Sequence, residues 1–282
     1  MTDLIRKIIY KSAAFVIRIT PFFILDSISV LFGSLAWNIW KRRRNIALEN
    51  LSQAFPGKTG KEISSIGKKS FINSAKTFFE LFKQPVFKKK WEDYCVTDGL
   101  ENLEKACSEG KGVIISVAHF GNWEFLVMVC ALMGFSVSGI QKTQKDIVFD
   151  EVLNEYRKDS GIKLVGRKSG LIGAVRYLKK GYLLFIATDQ KAHTGGIKTE
   201  FFGRECLTTP LPFLLSEKFD TPLVTAYCRR GGDKRFELRF MEPVYLKGKE
   251  KQEAVQFFTD INQEYIRKYP EQWFWAHRRW QM

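Results

Sequence analysis

From residue 113 onward, short apolar runs alternate with longer stretches whose apolar residues recur at helical spacing. Val113–Ala118 is a β-branched apolar run and predicts a buried strand. A helix is predicted from Trp123 through Leu132, and a strand over Phe135–Ile140. Phe149, Val152, Leu153 and Tyr156 share one helical face, Gly161 ends that helix, and Lys163–Val165 can pair as a strand. Ser169 is placed to cap a helix reaching Lys180, with Gly181 just past its end. Tyr182–Ala187 predicts another buried strand. Thr209 and Pro210 then supply an N-cap and a first-turn proline for a helix to Phe219. Strands over Leu223–Tyr227 and Phe236–Met241 and a helix over Lys249–Lys268 complete the alternation. Strands separated by helices predict an α/β fold with a mostly parallel central sheet flanked by helices.

The first hundred residues read differently. Thr59 and Glu62 form a capping box that opens a helix carrying Ile63, Ile66, Phe71, Phe78 and Phe82, and Gln84-Pro85 ends it. The pattern then weakens, apart from a charged helix over Leu100–Ser108. Residues 4–20 are apolar but interrupted by Arg6, Lys7, Lys11 and Arg18, and Pro21 breaks the run. The 19 residues Phe22–Trp40 carry one charge, Asp26, and lead into Lys41, Arg42, Arg43 and Arg44. That length approaches the roughly 20 residues that span a bilayer. Trp37 and Trp40 followed by four cations suit an interfacial anchor with the rest of the chain on the cytoplasmic side. Residues 1–44 are therefore expected to anchor the α/β domain over 45–282. A single span and a helix lying in the interface both fit. Two buried helices of a soluble protein are the alternative, to which Asp26, Ser27, Ser29 and Ser34 lend weight. No small-residue cleavage site follows a short apolar run, so a cleaved signal peptide is not expected.

Composition narrows the choice of partner. A net charge of +15 favours polyanions: nucleic acid, an anionic membrane surface or an acidic protein. The cations are dispersed, with one run beside the apolar segment, and no nucleic-acid motif is present. Anionic lipid therefore fits better than nucleic acid. Five scattered cysteines without a C-x-x-C predict a reducing compartment rather than disulfides or a thiolate metal site. The three histidines, His119, His193 and His277, lie outside metal-ligand spacing, so neither a metal nor a cofactor is expected.

Chemistry concentrates where the strand Val113–Ala118 ends, the edge at which open α/β sheets place their ligands. There His119 is followed by a Gly121-Asn122 turn and by Glu124 in the first turn of a helix. A carboxylate on one ring nitrogen fixes the tautomer and stabilises the imidazolium, leaving the other nitrogen to take a proton from a hydroxyl. His119 is thus the candidate general base and Glu124 its orienter. The bland alternative is a strand-end histidine bonded to a loop carbonyl.

The run from Ala118 to Glu124 resembles the catalytic block of the late acyltransferases of lipid A biosynthesis, a branch of the glycerolipid acyltransferase superfamily with an H-x-x-x-x-D/E motif. Three further blocks appear in the same order. They are Arg43-Arg44-Asn45 with Asn50-Leu51 and Phe55-Pro56; Ala187 to Gln190 with Gly195-Gly196, Phe201 to Gly203 and Thr208-Thr209; and Gln272 to Trp280. The resemblance implies an acyl donor on acyl carrier protein, or less often coenzyme A, and a saccharolipid acceptor of the lipid A type. It also marks Arg157, Asp189 and Arg204 as candidate substrate-binding residues. Asp189 supports the site or positions the donor, with loop capping as the alternative; Arg157 clamps phosphate or closes a helix. Relatives tend to carry an arginine after the strand Phe135–Ile140, where this chain has Gln141-Lys142. Lys142 joins the candidates, keeping the charge but losing the bidentate fork. Rival readings are transfer to a glycolipid, an ornithine lipid or a lysophospholipid, and a non-enzymatic basic protein that binds membranes or nucleic acid.

Overall fold

A computed structural model describes residues 2–141, 143–166, 170–192 and 194–280. Among them the strands are β1 Cys95–Asp98, β2 Val113–Val117, β3 Val137–Gln141, β4 Lys163–Gly166, β5 Leu183–Ala187, β6 Ile197–Phe201, β7 Arg204–Thr208, β8 Leu223–Arg230 and β9 Phe236–Phe240. The helices are α1 Asp3–Ile19, α2 Phe22–Ile39, α3 Lys41–Ala54, α4 Gly60–Leu81, α5 Gln84–Phe87, α6 Leu100–Ser108, α7 Trp123–Leu132, α8 Ile147–Asp159, α9 Gly170–Leu178, α10 Leu211–Phe219 and α11 Lys251–Lys268.

Seven strands form one sheet in the order β1-β9-β8-β2-β5-β3-β4. Every neighbouring pair is parallel except β8 and β9. β2 is buried at every position, as expected of a central parallel strand covered on both faces. Its alternate residues divide between two cores. Val113, Ile115 and Val117 face α6 and α7, packing in one cluster with Leu103, Phe125 and Phe236. Ile114 faces the other way, toward α9, α10 and α11, among Leu178, Phe213 and Phe258. The expected mostly parallel α/β sandwich is present. α3, β1 and the antiparallel hairpin β6–β7 are not among the elements that the sequence pattern predicts. The helix cap expected at Ser169 lies outside the described residues.

Thr59 and Glu62 make the reciprocal capping box at the start of α4. Along α4 lies α2, which is long and apolar enough to cross a membrane by length and composition. One stripe of α2 at i+4 spacing (Leu25, Ser29, Gly33, Trp37) is buried. The remaining face exposes Phe23, Val30, Leu31, Phe32 and Ile39. α1 is amphipathic in the same sense. Its cations pair with acids next to and on α8, Lys7 with Glu151 and Glu155 at 3.2 and 3.1 Å and Lys11 with Glu155 at 2.8 Å. Leu4, Ile8, Phe15 and Ile19 meanwhile face outward.

The α2–α4 crossing depends on Gly33, where a Cβ would stand 2.5 Å from the Ile72 Cα. Gly33→Val is therefore expected to lower stability by about 1–3 kcal/mol by overpacking, despite the better helix propensity of valine. Unfolding in detergent micelles measures this, and an unchanged or raised midpoint would contradict the packing account.

Candidate active site

Parallel pairing of β2 with β5 sets Val117 opposite Ala187. Two residues farther along each strand, both chains emerge at the same sheet edge with His119 facing Asp189. The ring Nδ1 lies 2.8 Å from Asp189 Oδ1, and the His119 backbone N–H donates to Asp189 Oδ2 at 2.9 Å. A third donor, Trp273 Nε1, reaches the same Oδ2 at 2.8 Å. Burial alone would favour a neutral Asp189, but the His119 charge and these hydrogen bonds hold its carboxyl at about 2. An ionised carboxylate only accepts, so Nδ1 carries the proton and Nε2 of the neutral ring keeps its lone pair. Burial also opposes charging the imidazole. The Asp189 charge and hydrogen bond outweigh it, and His119 titrates above its ordinary value.

Glu124 was the expected orienter of this ring, and the structure corrects that geometry. Its carboxylate forms a bidentate pair with Arg157 of α8, with Nε–Oε2 at 3.1 Å, and Arg157 also donates to Gln141 Oε1 at 2.7 Å. The reason is direction: Glu124 lies in the first turn of α7 and reaches toward α8 and β3, whereas strand register delivers Asp189 to the ring. Glu124 still acts on His119 through space, its charge favouring the imidazolium. Arg157 is committed to Glu124, whose charge keeps the guanidinium protonated against burial.

The turn between His119 and α7 is tightly specified. Gly121 has φ +55°, and a Cβ there would fall 1.7 Å from the Cys228 carbonyl oxygen. Asn122 caps α7, its Oδ1 accepting from Phe125 N–H at 2.9 Å. Trp123 packs edge-on against the imidazole, ring centroids 5.0 Å apart.

His119 stands between two cavities. One, of about 380 Å³, runs beneath it between Val117, Val127, Ile162, Leu164 and Phe185, with the Glu124–Arg157 pair in its wall. The other is an open groove of about 980 Å³ lined by Arg42, Arg43, Lys191 and Arg278, with His277 beside them and no carboxylate among its lining residues. Burial, with the neighbouring His119, Arg279 and Arg43 charges, lowers His277 to about 4 against the opposing pull of Asp189. It is therefore neutral at pH 7.

The sequence profile described as bacterial lipid A biosynthesis acyltransferase matches residues 3–282. This chain belongs to that family. It is 26% identical over 269 residues to the lipid A biosynthesis palmitoleoyltransferase of Escherichia coli K12, covering 92% of this chain and 85% of the relative. The lipid A biosynthesis lauroyltransferase of the same organism is 23% identical over 270 residues, 92% of this chain and 86% of that protein. The corresponding myristoyltransferase matches at 26% over 175 residues, 62% and 54% of the two chains.

As an acyltransferase, the enzyme brings its four sequence blocks together around His119. Asn50 donates to the carbonyls of Trp275 and His277 at 2.8 and 2.9 Å, and Arg43 to that of Ala276 at 2.8 Å. The segment so held runs past the His119–Asn122 turn, where Gly121 N–H donates to Gln272 O and Phe274 N–H to His119 O. Buried Arg279 clamps the hairpin through Leu207 O and Thr208 Oγ1. Of the sequence candidates, Asp189 contacts the His119 ring and Arg157 lines the smaller cavity. Arg204 sits on the hairpin over the Trp280 ring and does not line the groove. Lys142 lies outside the described residues. The sequence pattern puts Arg42 in the cation run beside the apolar segment and gives Lys191 no role, and neither is near His119 in the chain. Only their place in the fold unites them.

Nuclear magnetic resonance titration of His119 should give a midpoint above the ordinary 6.5. Asp189→Asn removes the charge that raises it but not the burial that lowers it, so the midpoint should fall below that value. An unmoved midpoint would contradict the pairing.

Proposed function

We propose that this acyltransferase moves a fatty acyl chain from acyl carrier protein to a hydroxyl of a lipid A precursor or related saccharolipid, with His119 as general base. The observation that supports this best is the placement of His119, which lines both a largely apolar cavity and a basic groove and whose Nδ1 is held by Asp189. Nε2 takes the acceptor hydroxyl proton as the oxygen attacks the thioester carbonyl. Collapse of the tetrahedral intermediate breaks the C–S bond, and the imidazolium returns the proton to the thiolate, releasing free carrier thiol. Asp189 holds the tautomer and stabilises the imidazolium. Glu124 adds negative charge near the ring while Arg157 fixes it in the cavity wall. The apolar cavity suits the acyl chain, and the cationic groove suits anionic headgroup or donor phosphate.

The relatives named above act in lipid A biosynthesis, which supports the acceptor class. The exposed apolar faces of α1 and α2 lie near Arg42 and Arg43 along the chain. That arrangement supports an inner-membrane location, residues 1–44 facing lipid and residues 45–282 on the cytoplasmic side.

His119→Ala is expected to cut acyl transfer by about 10²–10⁴-fold in a folded protein. Mass spectrometry of lipids from a host expressing either form would show the acylated saccharolipid only with the parent. A folded His119→Ala enzyme of near-normal rate would overturn the reading. For the donor, the net charge of +15 predicts that transfer from the acidic carrier protein exceeds transfer from coenzyme A and slows as salt rises. Equal rates with both donors and no salt dependence would remove the carrier protein.

A further inference from the structure

Asp26 is the only charged residue of α2, and a carboxylate on a helix whose other face is apolar and exposed calls for a reason. It faces the domain. Both its oxygens are taken by Arg235, Nη1 to Oδ2 at 3.0 Å and Nη2 to Oδ1 at 2.8 Å, with Lys76 at 3.5 Å. The same guanidinium donates through Nε to Glu80 Oε1 at 2.9 Å. Glu80, on α4, is among the most deeply buried carboxylates, its side chain 1% exposed. Its other oxygen pairs with Arg230 and accepts from Asn122 Nδ2 at 2.7 Å. Asn122 is the cap of α7, three residues after His119. Arg230 braces the turn from a second side. It donates to Asn73 Oδ1 at 2.6 Å and Thr77 Oγ1 at 2.7 Å, and Thr77 in turn donates to the Gly121 carbonyl at 2.7 Å.

We propose that Asp26 is a positioning residue for acyl transfer, its carboxylate fixing the His119–Asn122 turn through Arg235, Glu80 and Asn122. The two carboxylates, Asp26 and Glu80, hold the Arg235 and Arg230 guanidinium groups and the Lys76 ammonium. Without the Asp26 charge, Arg235 is free to draw Glu80 toward itself, and Glu80 lets go of Asn122. A buried polar network is rigid when fully satisfied, and removing one charge takes that rigidity from the rest. The helix that faces lipid is then also a working part of the active site, and its removal costs turnover even where no membrane is needed. The role rests on His119 being the base, which the His119→Ala experiment tests separately.

The test uses full-length enzyme in detergent micelles, with acyl carrier protein thioester and a lipid A-type acceptor, so that membrane attachment plays no part. Asp26→Asn should fold by circular dichroism yet lose about 10- to 10²-fold in kcat, the scale of a misplaced catalytic group. Both KM values should hold, and Asp26→Glu should restore much of the loss. Arg235→Lys, which keeps the charge but not the fork joining Asp26 to Glu80, should lower kcat in the same way and decides the matter if Asp26→Asn does not fold. Parent kcat in folded Asp26→Asn or in Arg235→Lys, or a loss confined to KM, would overturn the proposal. With His119→Ala inactive, that failure would leave the base assignment standing.

Discussion

The parallel register of β2 on β5 is the constraint from which the site follows. Val117 pairs with Ala187, and the Thr188 N–H donates to the Val117 carbonyl at 3.0 Å. Both strands are buried on both faces, so a slip of even one residue would reverse every side chain between the two cores. His119 and Asp189 inherit that rigidity, being two residues beyond the last pair. The His119–Asp189 distance is thus set by backbone ladders and apolar packing rather than by the side chains themselves.

What surrounds the pair serves to hold the turn that follows it. The segment from Gln272 to Trp280 meets the turn from one side, donating the Trp273 indole to Asp189 and accepting at Gln272 O from Gly121. α3 and α4 fasten that segment from behind, through Asn50 and through Ser70, which donates to the Trp273 carbonyl at 2.5 Å. On the other side stands the buried Glu80 with its two arginines. Residues far apart in sequence therefore share one task, and the inward face of α2 joins this framework through Gly33, Trp37 and Asp26.

The sandwich and the position of His119 were legible because they depend on local signals: β-branched runs, caps and the Gly121-Asn122 turn. α3 was not, because four consecutive cations hide the buried stripe of Ala47, Leu51 and Ala54. β1 is only four residues long and half exposed, and β6–β7 carry charges between their buried positions. The partner of the imidazole is not legible in the sequence for a different reason. Glu124 is near in sequence, whereas Asp189 is near only through strand pairing, which a single sequence does not print. The C-terminal aromatic-basic run stood out as a motif, but its role in fixing Asp189 needed the fold.

The central claim is that His119 and Asp189 act as one unit. A double-mutant cycle on the rate of acyl transfer tests it directly, with His119→Ala, Asp189→Asn and the pair measured alongside the parent at saturating donor. Residues that work through each other are non-additive. The account predicts that the double variant is no slower than His119→Ala alone, within a factor of about two. If the two losses multiplied instead, Asp189 would act independently of the imidazole, and the general-base arrangement described here would be wrong.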